Sequence, residues 1–346
     1  MAMEGVKGIW FSFPIGLLLS LLLLLSHAEE ITELEAQSIE VFKEGPYSVG
    51  RLDIPPWGED PLKPLLVAVP TAKGVYPVVM FLHAYFPVKN YFYWQMLEHV
   101  ASHGYIVVAP QMYDITGWNT TDEMLDVASI RSWLPEGLTN FFPPDLAEVK
   151  PDFQRVAIAG HSRGGKVAFG AAMGLFSPPS FSALAALDPV DGATGHPTSP
   201  PLLTNSQNSL NLKVPTLVVG TGLGPAEHWM FPTCAPEGLD HVEFFRETAG
   251  SAYHFVAVDQ GHQDILNDDV DFLACFLCKC KAPLAPMRRF GAGILVAFLD
   301  ATVGGNGAGA LNDVIRNPHL APVRLEKPEF KPLVGSETSP NRVMSG

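Results

Sequence analysis

Charge is scarce in this chain: only 17% of its 346 residues are Asp, Glu, Lys or Arg. Acidic residues outnumber basic ones by 36 to 22, for a net charge of -14. A chain that acidic repels a phosphate backbone, which excludes nucleic acid as a natural partner. Docking by simple attraction to an anionic membrane is disfavoured for the same reason. Cysteine is absent until Cys234, and Cys234, Cys275, Cys278 and Cys280 all lie in the last third. No second Cys/His pair at finger spacing accompanies Cys275-x-x-Cys278-x-Cys280, so zinc is set aside. In an oxidising compartment these cysteines form one or two disulfides, in one of three connectivities. An apolar run long enough to span a membrane is also missing. The stretch 15–25 is the strongest, and it is well short of the roughly 20 residues that a span needs.

What is present is a large apolar fraction, 47%, enough for a substantial core. Residues 1–28 read as a secretory signal peptide. Lys7 precedes the apolar run, and Ser26-His27-Ala28 offers small residues where a signal peptidase cuts. An uncleaved anchor is the second choice. The sequon Asn119-Thr120-Thr121 fits a secretory route. Residues 29–316 form one domain, and from 317 to 346 repeated prolines without an apolar period suggest an unpacked tail. Within the domain, strands are expected at 65–69, 76–82, 105–109, 155–160, 181–187, 214–220 and 253–258. Helices are expected at 91–103, at 122–134 with Thr121 as cap, directly after residue 164, and at 264–280 and 292–303. Strands alternating with helices imply an α/β domain, a mostly parallel sheet with helices on both faces.

The most informative stretch is Gly160-His161-Ser162-Arg163-Gly164, between an apolar strand and a helix of small residues. Gly-x-Ser-x-Gly in that setting is the nucleophile elbow of α/β-hydrolases. A side chain at either glycine would strike neighbouring backbone, and the serine hydroxyl is lifted to the positive end of the next helix. In open parallel sheets chemistry collects at strand ends. Three such ends carry, in order, Ser162, then Asp188 or Asp191, then His262. His262 follows a strand and Gly261. No aspartate occupies Thr221-Gly222-Leu223-Gly224, so the acid must come from the strand before. Asp188, held by Pro189, reads as structural. Asp191 lies further into its loop and is favoured as the acid. Backbone N–H groups of Arg163 and Tyr85 are expected to form the oxyanion hole. His161 and His254 read as packing residues, and His83 as a brace for the loop after its strand. Gly220-Thr221-Gly222-Leu223-Gly224 and the glycine run from Gly304 to Gly309 lack the context of a dinucleotide site.

Gly160-His161-Ser162-Arg163-Gly164-Gly165-Lys166-Val167-Ala168-Phe169-Gly170, Leu187-Asp188-Pro189-Val190-Asp191-Gly192 and Asp240-His241-Val242-Glu243-Phe244-Phe245 make the sequence resemble plant chlorophyllases. Tyr253-His254-Phe255-Val256-Ala257 and Gly261-His262 complete a likeness over about residues 38–305. The resemblance implies an α/β-hydrolase that cleaves the phytyl ester of chlorophyll, giving chlorophyllide and phytol. It implies Ser162, Asp191 and His262 as a triad, no metal or organic cofactor, and peripheral contact with pigment-bearing membranes. Ala84 departs from the usual glycine, and its methyl is expected to narrow the oxyanion loop. A chloroplast substrate sits awkwardly with the signal-like start, which favours endoplasmic reticulum or vacuole, with chloroplast the alternative. Phe86, Tyr91 and Trp94, with neighbouring Phe92 and Tyr93, and Trp229 and Phe231, with Met230 between them, are expected to wall the pocket. Two rival readings keep the fold: a generic lipid or acyl esterase, and a non-catalytic pigment or lipid carrier.

Overall fold

The computed structural model describes residues 39–56, 62–178, 181–229 and 231–332. The expected signal segment therefore lies outside the described residues, as does Met230.

Runs of β-branched and apolar residues too short for helices become strands of one nine-stranded sheet. In chain order these are β1 (Val49–Ile54), β2 (Leu65–Pro70), β3 (Gly74–Leu82), β4 (Ile106–Pro110), β5 (Val149–His161), β6 (Ala183–Leu187), β7 (Thr216–Thr221), β8 (Ala252–Ala257) and β9 (Glu329–Lys331). Their spatial order is β1-β2-β4-β3-β5-β6-β7-β8-β9. β2 is antiparallel to β1 and β4, β9 is antiparallel to β8, and the rest are parallel. This mostly parallel sheet with helices on both sides is consistent with the α/β-hydrolase fold.

Both faces are buried, so the strands are apolar throughout rather than alternating. In β3, Val79 and Phe81 join one core cluster while Val78, Met80 and Leu82 join the other, as the period of two requires. The first cluster is closed by α1 (Trp94–Ser102) and α6 (Ala285–Leu299). The second is closed by α2 (Thr121–Gly137), α3 (Arg163–Met173) and α4 (His241–Glu247). Two short helices, α5 (Asp271–Leu277) and α7 (Gly309–Arg316), complete the set.

Register places the chemistry. His161 pairs with Leu187, Leu187 with Val219, and Val219 with Phe255, all in parallel. Strands β5, β6 and β8 therefore end at one edge of the sheet, where Ser162, Asp188 and the loop to His262 emerge.

Three expectations are corrected. Residues 264–280 are helical only over a 3-10 turn at Asp268–Val270 and an α-helix at Asp271–Leu277, because Gly261 N–H and Lys281 N–H both donate to Asp264 Oδ2 and hold the start of the segment as a loop. Thr121 is the first residue of α2 rather than its cap; its N–H donates to Asn119 Oδ1 at 2.8 Å. The tail is packed as far as residue 332: Ala321 and Val323 are buried, and β9 adds to the open edge of β8. An edge strand is recruited by backbone hydrogen bonds, which leave no apolar period to read.

Candidate active site

Ser162 sits at φ 56° and ψ -122°, between β5 and α3. For a residue with a side chain such a backbone costs about 1–3 kcal/mol, so the surroundings must impose it. They do. A Cβ on Gly160 would lie 2.3 Å from the Gly164 carbonyl oxygen, and one on Gly164 would lie 2.3 Å from the Leu82 oxygen. Ser162 N–H donates to the Leu187 carbonyl at 3.0 Å, which locks the corner to β6.

The hydroxyl meets an imidazole. Ser162 Oγ is 2.8 Å from His262 Nε2, and His262 Nδ1 is 2.7 Å from Asp188 Oδ2. An ionised carboxylate only accepts, so Nδ1 carries the proton and Nε2 is left to accept from the serine. All three side chains are buried.

The acid that reaches His262 is therefore Asp188, and the expectation of Asp191 is corrected. Asp188 has φ 43°, which turns its side chain back along the sheet edge, and its N–H donates to Val219 O at 2.6 Å. Thr221 completes the seat, its N–H donating to Asp188 Oδ1 at 3.1 Å and its hydroxyl to Oδ2 at 2.5 Å. Burial alone would raise the Asp188 carboxyl. The hydrogen bond and charge of His262, then His241 and the Thr221 hydroxyl, outweigh it and hold the group below the ordinary carboxylate range.

Asp191 turns the other way. It forms an ion pair with Lys166 Nζ at 2.6 Å, both side chains fully buried, and accepts N–H bonds from Leu202 and Leu203 at 2.8 Å. Lys166 Nζ also donates to the Thr198 carbonyl at 2.8 Å and to its hydroxyl. This pair ties helix α3 to the chain from 191 to 203. Burial pushes both groups toward their neutral forms, and their mutual attraction opposes it.

The histidines read as packing have definite partners. His161 Nε2 donates to the His262 carbonyl at 2.8 Å, and its Nδ1 accepts from the Tyr93 hydroxyl at 2.7 Å. Tyr93 Oη in turn accepts the Ala84 N–H at 3.1 Å. A chain of bonds thus joins the loop after β3 to the loop of His262, passing beneath Ser162. Burial, then the charge of His262, lowers His161 to about 3, so it stays neutral in this role. His83 braces its loop: Nδ1 donates to Ala84 O at 2.8 Å and Nε2 accepts Met112 N–H at 3.0 Å. His254 is buried between His241 and Glu329.

Asp264 anchors the histidine loop from the other side. One oxygen accepts the Gly261 and Lys281 N–H groups at 2.7 and 2.9 Å, and the side chain is fully buried. Burial, only partly offset by those bonds, raises its carboxyl to about 6. Between the ordinary carboxylate value of 3.8 and about 6, the folded chain binds a proton that the unfolded chain releases. Stability from this group is accordingly greatest at low pH and falls as pH rises through that window, by up to about 3 kcal/mol. Thermal melts of Asp264→Asn beside the parent should lose this slope. Identical pH profiles would contradict it.

A cavity of about 290 Å³ opens over Ser162 and His262. Phe86 and Phe231 line it as expected, beside Tyr85 and Arg163. Tyr91, Trp94 and Trp229 do not, and the pocket expectation is corrected for them. Tyr91 packs edge-on against Phe92, Trp94 lies under the Arg51 guanidinium, and Trp229 is 90% exposed. Ala84 is buried in the core and is not a lining residue, so its methyl does not narrow this space. Sequence reasoning missed Trp118, Val190, Leu277 and the Cys234–Cys278 disulfide, all of which line the cavity. Trp118, Val190 and Cys234 come from separate loops, Leu277 and Cys278 from the end of α5, and no one motif links them. A second disulfide joins Cys275 and Cys280. The Arg163 side chain pairs with buried Glu123, its Nε 3.1 Å from each carboxylate oxygen, and stacks on Tyr85 and Tyr113. It holds the Tyr85 loop in place.

The profile of the chlorophyllase family matches residues 37–332. Chlorophyllase-2 of Arabidopsis thaliana is 48% identical over 256 residues, 71% of this chain and 79% of that protein. Chlorophyllase-1 of Arabidopsis thaliana is 39% identical over 286 residues, 80% of this chain and 87% of that protein. A protein of Citrus unshiu named "Chlorophyllase-1, chloroplastic" is 37% identical over 308 residues, 86% of this chain and 90% of that protein.

Proposed function

Because this chain belongs to the chlorophyllase family, whose members are carboxylic-ester hydrolases, we propose that it cleaves the phytyl ester of chlorophyll through Ser162, His262 and Asp188. The observation that carries the reading is the unbroken contact Ser162 Oγ to His262 Nε2 to Asp188 Oδ2 at the floor of an apolar cavity. A serine hydroxyl is a weak nucleophile near neutral pH. His262 Nε2 takes its proton as Oγ attacks the ester carbonyl, and Asp188 holds the tautomer and stabilises the imidazolium. The oxyanion is met by the N–H groups of Arg163, at the positive end of α3, and Tyr85. Collapse of the tetrahedral intermediate breaks the bond to phytol, whose oxygen is protonated by His262. Water, activated by the same imidazole, then releases chlorophyllide from Ser162. Every step uses protein groups and water alone.

The cavity supports an apolar substrate, and its opening past exposed Phe86 and Trp118 suits a molecule presented from a pigment-bearing membrane. Assaying the purified chain on chlorophyll a and on p-nitrophenyl esters tests the reading against a general esterase. A higher kcat/KM on chlorophyll a is expected, and turnover of the nitrophenyl esters alone would overturn it. Residues 1–28 lead us to place the chain on the secretory route, with chloroplast as the alternative. A C-terminal fluorescent fusion should light the endoplasmic reticulum or vacuole, and plastid fluorescence would reverse the assignment.

A further inference from the structure

The cavity is small for its proposed substrate. At about 290 Å³ it lies at the lower end of the roughly 300–1,000 Å³ that drug-sized ligands occupy. A macrocycle joined to a twenty-carbon alcohol is larger than such ligands, so most of it must rest outside. An apolar row of rings leads away from the cavity. Phe231 lines it and meets Phe276 with ring centroids 5.3 Å apart, and Phe276 meets Phe272 at 6.2 Å. Phe272 and Phe276 stand four residues apart on α5, hence on one face. Exposure rises along the row from 39% to 52% to 81%.

We propose that Phe231, Phe276 and Phe272 form an external subsite for the long branched alkyl tail of the substrate alcohol, an inference that rests on the proposed esterase reading. Three observations favour the tail over the macrocycle. The first is polarity of the site: the alcohol leaves toward the imidazole that protonates it. The chain that lines the cavity at His262 and Gln263 lines it again at Leu277 and Cys278, at the end of α5. The second is shape: Phe231 and Phe276 are inclined at 68° whereas Phe276 and Phe272 are near parallel at 16°. Such a row gives no flat platform for a rigid plane but accepts a chain that bends. The third is rigidity. Cys234–Cys278 ties the loop just beyond Phe231 to the end of α5, and Cys275–Cys280 closes the turn behind it. The backbone that carries the rings is thereby constrained before substrate arrives, which lowers the entropy lost on binding.

The test uses the full chain and its Phe272→Ala/Phe276→Ala variant on two esters of one acid, chlorophyll a and its methyl-ester counterpart, both in detergent micelles. The ratio of kcat/KM for phytyl over methyl ester is expected to fall about tenfold, mainly through KM, with Phe272→Leu/Phe276→Leu recovering much of it. No change in the ratio, or equal losses on both esters, would overturn the subsite. An effect seen only with vesicle-borne chlorophyll would also overturn it, in favour of α5 as a bilayer contact. Wild-type protein inert toward both esters would instead remove the esterase reading.

Discussion

Ser162→Ala is expected to lower turnover of chlorophyll a by about 10⁴–10⁶-fold, the loss typical when a serine hydrolase is deprived of its nucleophile. Alanine keeps the Cβ and faces the same positive φ, so the corner between Gly160 and Gly164 gains no new strain. The cavity walls are untouched, and pigment should still bind with nearly unchanged affinity. Single-turnover kinetics together with fluorescence titration of chlorophyll a separate the two quantities. Residual hydrolysis within tenfold of the parent would discard the covalent mechanism, and parallel loss of binding would point to a collapsed site.

The second large effect distinguishes two aspartates three residues apart. Asp188→Asn leaves the site's shape nearly intact but removes the charge that fixes His262 Nδ1–H, and kcat should drop by about 10⁴. Asp191→Asn acts elsewhere. It leaves the ammonium of Lys166 buried without its counter-charge, which should cost about 3 kcal/mol or more of stability. Protein that does fold should turn over at close to the parental rate. Urea unfolding and active-site-normalised kcat for both variants check the pair. A large kcat loss in Asp191→Asn without a stability loss would return the acid role to that residue.

Much of this is legible in the sequence. The elbow is, because two glycines around a serine leave few backbone solutions once an apolar strand precedes them and small residues follow. His262 is, because parallel strands bring their ends to one edge, and only there can an imidazole reach Ser162. The absence of an acid after β7 points to the end of β6, where Asp188 meets His262. The choice between Asp188 and Asp191 is not legible. It turns on one positive φ at Asp188 and on the Thr221 donors, and no residue pattern announces either. Pro189 beside it suggests a structural Asp188, yet Asp188 is the residue facing the imidazole. The pocket walls failed for a related reason: Tyr91 and Trp94 turn to other neighbours and Trp229 stands in solvent.

The sequence by itself determined which segments form the inner strands and which of their ends carry a hydroxyl and an imidazole. Those features follow from periodicity and backbone sterics, which act within a few residues. Tertiary structure decided which carboxylate meets His262, which cysteines pair, which aromatic rings line the cavity, and that residues 329–331 close the sheet. Each of these depends on where a side chain or an edge strand finds a partner many positions away. That direction is set by single backbone torsions and by competing neighbours rather than by any local pattern.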